Sequence, residues 1–301
     1  MKVRIGYGLG VRTTLNDVDF LDFVDTLERL QFDSLWLSER ISGPAPDPLV
    51  AMSFAAARTQ KLKLGMSVMV LPGRNPVVLA KELATLDRMS NGRLLPAFGL
   101  GVADPVEQQA FGVERTKRAR IFNEALAVVR ACWTEETVDF SGEHFNYGNL
   151  RVEPKPKQQP PDVWLGGLAE SELKRVGRLA DGWLPSFVTP EDARKGWSVI
   201  TQVAAEHERG IDPEHFGVLI PYASGPIPER ALAGFKSRRP DLDDISRIVP
   251  TDWDGMERLV HSFIEVGASK FVIIPVAEPR SISEWNDHLG EVASRMIPLQ
   301  T

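Results

Sequence analysis

The strongest constraint on the fold is an alternation sustained along the whole 301-residue chain, in which short β-branched or apolar runs are each followed by a longer stretch of helical spacing. Such a pattern points to parallel strands joined by helical crossovers. The first unit reads as a strand over 3–9 and a helix over 17–30. Phe20, Leu21, Val24, Leu27 and Leu30 recur there at three- and four-residue steps, with Asn16 as the N-cap. Further strands are expected over 34–37, 62–71, 93–100, 162–165, 183–185, 216–223 and 270–275. Helices are expected over 48–59, 76–89, 114–133, 171–180, 191–209 and 283–296. Two segments interrupt the repeat. Residues 138–161 read as a hairpin and an extended loop, and residues 224–254 add a helix within PIPERALAGFKSRR. Thr251 and Asp254 then pair as a capping box for a helix reaching Val266.

Eight strand and helix pairs, with inserts after the fourth helix and the seventh strand, predict an α/β fold of one domain over 1–301, a (β/α)8 TIM barrel. The rival is an open doubly wound sheet carrying a dinucleotide fingerprint. Both glycine clusters fail that test. Gly6, Gly8 and Gly10 are followed by Val11 and Thr13 where a third glycine belongs, and Gly99 and Gly101 are followed by Asp104. Tight backbone at a barrel rim is the plainer reading of them.

Composition narrows the chemistry. A net charge of −6 offers no broad basic face, so nucleic acid is not an expected partner. The single cysteine, Cys132, cannot form an internal disulfide or a cysteine-based zinc site, and its helical context reads as a packed small hydrophobe. The opening MKVRIGYGLG lacks the apolar core of a signal peptide, and no run approaches the ~18 apolar residues of a membrane span. A soluble cytoplasmic protein is expected.

In a barrel, reactive groups come from the C-terminal ends of the strands. Those loops carry Gly10, Arg12 and Thr13; Ser38, Glu39 and Arg40; Arg74 and Asn75; Gly101 and Asp104; Gly166, Gly167, Glu170 and Ser171; Ser186; Ser224; Glu278 and Arg280. None of the five histidines falls among them, which disfavours a histidine metal centre or a Ser-His-Asp arrangement. No metal site is expected. A shortage of acid and base groups beside glycine-containing rims suits a cofactor that carries the reaction. VWLGGLAESELKR, from Val163, allows two readings: loop amides that hold a phosphate, or a close turn with Ser171 as N-cap.

FDSLWLSER from Phe32, MSVMVLPGRNPVVLAKELATLDRMSNGRL from Met66, the following FGLG, and VWLGG with RLADGWLP resemble the luciferase-like monooxygenase superfamily over nearly the whole chain. The run is most similar to the branch that uses coenzyme F420. The resemblance implies an F420-dependent oxidoreductase acting on a small organic substrate. Its alternatives are an FMN-dependent monooxygenase served by a separate cofactor reductase, and a cofactor-binding barrel without turnover. It implies that Ser67, Val68, Met69 and Val70 form a bulge with an unusual peptide bond behind the cofactor ring. The amides of Gly166, Gly167, Leu168 and Ala169, with Ser171, would hold the cofactor phosphate, and Gly101 lies at the same rim. Glu39 matches a carboxylate that approaches a deazaflavin ring, and Arg40 stands beside it for catalysis, an anionic substrate or the charged cofactor, with a salt bridge to Glu39 or Asp104 as the plainer alternative. A homodimer through the second and third helices is also implied.

The departures matter. Glu39 and Arg40 stand where the family's sugar-phosphate dehydrogenases have Asp-His, Val102 where they have glutamate, and Thr189 where a substrate-phosphate lysine falls. Arg40 cannot serve as a base, because its guanidinium stays charged. A glucose-6-phosphate dehydrogenase is therefore not expected.

Overall fold

The structure is a computed structural model and describes residues 1–13, 15 and 17–301. Asn16, the expected first N-cap, lies outside the described residues. The strands are β1 (Arg4–Leu9), β2 (Ser34–Leu37), β3 (Lys63–Met66), β4 (Met69–Val70), β5 (Leu94–Leu95), β6 (Ala97–Gly99), β7 (Val138–Ser141), β8 (Asn146–Leu150), β9 (Trp164–Leu165), β10 (Gly182–Trp183), β11 (Gly217–Tyr222) and β12 (Lys270–Pro275). The helices are α1 (Asp17–Arg29), α2 (Pro48–Arg58), α3 (Pro76–Met89), α4 (Pro105–Phe111), α5 (Arg118–Thr134), α6 (Glu170–Leu179), α7 (Pro190–Glu206), α8 (Glu229–Arg238), α9 (Trp253–Glu265) and α10 (Ile282–Met296).

Parallel pairing runs β11-β12-β1-β2-β3-β5 in one sheet and β10-β9-β6-β4 in another. The two sheets are one ring. β3 and β4 are successive pieces of a single expected strand, as are β5 and β6, and parallel bridges Trp183 to Phe216 and Ser186 to Leu219 join the other edge. The fold is the expected (β/α)8 barrel. β7 and β8 form the antiparallel hairpin of the first insert, and α8 is the helix of the second.

Both split strands break for identifiable reasons. Pro96 has no N–H to donate, and it separates β5 from β6 while its carbonyl accepts the Trp164 amide at 2.8 Å. A cis peptide between Ser67 and Val68 separates β3 from β4 at the expected bulge. Three local expectations need correction. Asp252, not Thr251, caps α9, its side chain accepting from the Gly255 amide. Ala169, not Ser171, stands at the N-cap of α6: the helix begins at Glu170, and Glu172 at its third position reaches back to accept the Ala169 amide. The long helix starts at Arg118 rather than 114, and α4 fills part of the loop before it.

The barrel interior explains several glycines. Trp36 and Trp164 meet there edge to face at 6.4 Å. A Cβ on Gly65 would lie 2.5 Å from Trp36, one on Gly182 2.6 Å from Trp164, and one on Gly6 2.4 Å from the Ser34 hydroxyl that accepts the Trp36 indole N–H. Gly6 and Gly8 therefore make room inside the barrel and do not shape its rim. At the N-terminal ends of the strands, Asp33 sits between Lys63 and Lys270, each 2.8 Å away. The interior is closed below the tryptophans and opens above them.

Candidate functional site

A cavity of about 1000 Å³ opens at the C-terminal ends of the strands. Its floor is the bulge: Ser67, Val68 and Val70 line it, whereas Met69, expected beside them, is buried in the core. The alternation of a strand sends neighbouring side chains to opposite faces, which excludes Met69. Ser38 supports the bulge by donating to the Ser67 carbonyl at 3.2 Å.

Glu39 is fixed at this wall. Its carboxylate accepts the Val70 amide at 2.6 Å and pairs with Arg74, leaving the side chain 2% exposed. Burial raises its pKa above the ordinary carboxyl value, although Arg74 and the Val70 N–H oppose the shift. Arg40 does not pair with Glu39; it bonds Asp104 at 2.7 Å and lies 3.8 Å from Glu107. Glu107 accepts the Ile41 and Ser42 amides and the Ser42 hydroxyl, so the loop after β2 is tied to α4.

The chain turns at Gly101, beside Val70, and at Gly167 further round the ring, where φ angles of +79° and +98° favour glycine. Gly166 and Gly167 line the cavity, and the Trp183 indole holds the Gly167 carbonyl at 3.0 Å. The Leu168 and Ala169 amides point to an anion, and that anion is internal: both donate to Glu172 at 3.1 Å. Ser171 is exposed and outside the cavity wall. Arg118 donates to the Gly101 carbonyl at 2.9 Å, and Arg175 donates to Asn123 at 3.2 Å while lying over the Phe122 ring. Loss of hydration lowers the Arg175 pKa, with Glu172 opposing and Arg178 and Arg118 reinforcing it.

Most of the expected rim residues line the cavity: Arg12, Thr13, Ser38, Gly101, Ser186, Glu278 and Arg280 join Glu39 and Arg40. Others have different work. Asn75 and Asp104 cap α3 and α4, and the exposed Glu170 pairs with Lys174. Thr189 caps α7 by accepting the Asp192 amide. Sequence reasoning missed Arg118, Glu172, Arg175 and the α8 face. The available signal was spacing, since Glu172 and Arg175 follow the two glycines within two helical turns. Among the described residues no histidine lines the cavity. A group of metal-ligating type, Glu124, Glu143 and His144, sits at the hairpin instead, where Glu124 already accepts the amides of residues 143–145.

The arrangement is a deep apolar-floored cleft with a buried carboxylate at its wall, an amide loop on one side and arginines around it. It can seat a flat ring and a phosphate, while offering no paired acid and base.

A family model described as luciferase-like monooxygenase matches residues 11–261. The F420-dependent glucose-6-phosphate dehydrogenase of Kineococcus radiotolerans is 32% identical over 173 residues, which cover 54% of this chain and 50% of that protein. The chain spans about half the length of the curated relatives it matches. Among solved structures, an F420-dependent secondary alcohol dehydrogenase in complex with an F420-acetone adduct is similar with a TM-score of 0.80, at 20% identity over 100% of both chains. The oxygenating constituent of 3,6-diketocamphane monooxygenase from Pseudomonas putida, solved with FMN, gives 0.81 at 15% identity over 100% of this chain and 99% of that one. Both likenesses establish the fold alone.

Proposed function

The chain belongs to the luciferase-like monooxygenase family, and from that premise we propose that it is an oxidoreductase that binds coenzyme F420 and exchanges hydride with a small organic substrate. The observation that carries this reading is Glu39, a buried carboxylate held against the bulge by the Val70 amide and Arg74. The resemblance puts a carboxylate at that place beside a deazaflavin ring. The F420-dependent relative from Kineococcus radiotolerans supports the same choice.

The residues present fit such a group. A cavity of about 1000 Å³ has room for a coenzyme head, at the upper end of the ~300–1,000 Å³ usual for ligand sites. Ser67, Val68 and Val70 would back the ring, and Gly99 permits the approach, since a Cβ there would lie 2.4 Å from Val68. The loop from Gly166 to Ala169, with Arg118 and Arg175, would hold the phosphate once the Glu172 carboxylate released the Leu168 and Ala169 amides. When bound, the deazaflavin supplies two-electron hydride exchange with the substrate. The chain's own part is to orient, to exclude water and to hold a proton. Glu39 is the cavity group suited to the last task, since burial raises its pKa. Arg40, tied to Asp104, positions the loop after β2.

The test is titration of the purified protein with F420 and with FMN, followed by fluorescence quenching. Saturable F420 binding with weaker or no FMN binding is expected. Tight FMN binding without F420 affinity would replace this reading with an FMN monooxygenase served by a separate reductase, and failure to reduce or oxidise bound cofactor across a substrate panel would leave a binding barrel without turnover. Exposed Val50 and Phe54 on α2 and Val78 and Met89 on α3 support a homodimer through those helices, to be checked by light scattering. Among the described residues no helix is long and apolar enough to cross a membrane.

A further inference from the structure

Seven arginines and four glutamates line the cavity, and the arginines fall into two separate groups. Arg118 and Arg175 stand by the loop that follows β9. Arg12, Arg230, Arg238 and Arg280 stand on the opposite side, around β1, β12 and α8, with Arg40 after β2 between the two groups through its pair with Asp104. The insert adds two arginines to the second group. Arg230, Ala231, Gly234, Phe235 and Arg238 line the cavity at the spacing of one helical face, so α8 presents two arginines with two small residues between them.

That face is fixed in place. Buried Arg239 donates to the Phe187 carbonyl at 2.6 Å, pairs with Asp241 through both forks and bonds Asp192 at 2.9 Å. A small apolar cluster of Ile245, Ile248 and Val249 packs Leu232 and Phe235 beneath it. Arg238 lies over the Phe187 ring at 4.6 Å. Loss of hydration lowers its pKa, and the like charges of Arg40 and Arg12 lower it further, so these three guanidinium groups share one field.

The charges facing this group are few. Arg40 takes Asp104 and Glu107, and Glu278 accepts the Thr13 hydroxyl at 2.9 Å. Among the described side chains, no carboxylate lies within ion-pair distance of Arg12, Arg230, Arg238 or Arg280. Guanidinium groups gathered around one cavity without counter-ions repel each other, and an anion that bridges them relieves the repulsion. On the cofactor reading above, the first group and the amide loop would take the cofactor phosphate across the cavity.

We propose that the pole formed by Arg12 and Arg238, flanked by Arg230 and Arg280, binds an anionic group of the substrate, a carboxylate or a phosphate monoester. The assignment of this anion to substrate rests on the cofactor reading above, which places the cofactor phosphate at the other pole. The substrate class is thereby an organic acid or phosphate ester whose reacting carbon lies toward the bulge.

Calorimetric titration of the cofactor-free protein with malonate and with inorganic phosphate tests this, beside F420 and FMN titrations of the same preparations. Wild type is expected to bind anion at both poles. The Arg12→Gln, Arg238→Gln double variant should lose one site, weakening it by roughly tenfold or more, with cofactor affinity unchanged. Arg175→Gln should lose the other site and cofactor affinity together. The Arg12→Lys, Arg238→Lys variant keeps the charge but loses the planar fork, and should fall between. Preference for malonate or for phosphate at the lost site distinguishes the two substrate chemistries. Retention of both anion sites in the double Gln variant overturns the proposal, as does a loss of cofactor affinity in step with the anion, which would assign these arginines to the cofactor's tail. If neither cofactor binds wild type, the cofactor reading falls, while the anion titrations still decide whether the second pole exists. Melting curves identify any variant that fails to fold, and the Lys variant then carries the test.

Discussion

Replacing Asp33 by Asn should destabilise the barrel strongly and leave its site intact. Asp33 lies at the end of the barrel opposite the cavity, 8% exposed, with Lys63 and Lys270 each at 2.8 Å and Arg4 at 3.6 Å. Burial alone would raise its pKa, yet the charges of Lys270 and Lys63 and their hydrogen bonds hold it down at about 2. Against an ordinary value of 3.8, that depression is worth about 2.4 kcal/mol at neutral pH. Lys270 runs the other way, since burial lowers its pKa despite Asp33, so the pair's net contribution is smaller than the carboxylate alone indicates. Removing one partner is a different matter, because the neutral amide of the Asp33→Asn variant would leave a buried ammonium without its counter-ion, at about 3–5 kcal/mol. Calorimetry should then show a melting temperature lower by about 6–15 °C. A depressed carboxylate stabilises above its unfolded pKa and ceases to as pH falls through the folded one. The gap between wild type and variant should therefore narrow below pH ~4 and close near 2. Buried Cys132, whose pKa burial raises, gives a second readout, because its thiol should react with a disulfide reagent only on unfolding. Combining Asp33→Asn with Lys270→Met should recover most of the loss. A variant melting within about 2 °C of wild type, or a gap unaffected by acid, would refute the reasoning.

Other perturbations address the site. Glu172→Gln weakens the internal acceptor of the Leu168 and Ala169 amides, so inorganic phosphate should bind several-fold more tightly by calorimetry. Glu39→Gln breaks the pair with Arg74 and should weaken F420 binding roughly tenfold. Wild-type affinity should also change with pH above the ordinary carboxyl pKa of about 4.3 as Glu39 titrates, and the variant should lack that step. Arg239→Ala removes the ties to Phe187, Asp192 and Asp241. It should expose the insert of 224–254 to limited proteolysis while the barrel's melting temperature falls by only a few degrees, about 2–8 °C.

Some elements were legible because their signals are local. Helix α3 runs over the expected residues: Asn75 accepts the Val77 and Val78 amides, Pro76 opens the first turn, and the apolar spacing keeps one face buried. β12 is likewise legible, apolar on both faces from Phe271 to Pro275. The Pro96 break was invisible in the residue pattern and the bulge was expected only from the family resemblance, since an apolar run reads the same whether the ladder continues or not. The cap of α6 was misplaced because the helix starts earlier than its serine suggests, at Glu170, with Glu172 reaching back to the Ala169 amide. At the site, Glu39, Arg40 and the glycines were found because they follow strands directly. Arg118, Arg175, Arg230 and Arg238 lie within helices, where a charged residue at helical spacing reads as solvated surface. Only the ring of strands turns those faces inward.

That distinction bears on what net charge can say about ligands. The chain carries −6 overall, from which an anionic ligand would be repelled. Each glutamate at the cavity is nevertheless engaged: Glu39 by Arg74, Glu107 by Ser42, Glu172 by two amides and Glu278 by Thr13. Several of the seven arginines there have no carboxylate partner among the described residues. Local charge therefore opposes the global sum, and distance decides between them, because salt at about 0.15 M screens beyond roughly 8 Å. The two views differ in sign. Repulsion from the whole chain would weaken as salt rises, so phosphate would bind more tightly; attraction to cavity arginines would weaken, so it would bind less tightly. Phosphate affinity should fall steadily between low and physiological ionic strength, and a rise over that range would mean that the cavity's field is set by the acidic surface and not by its own arginines.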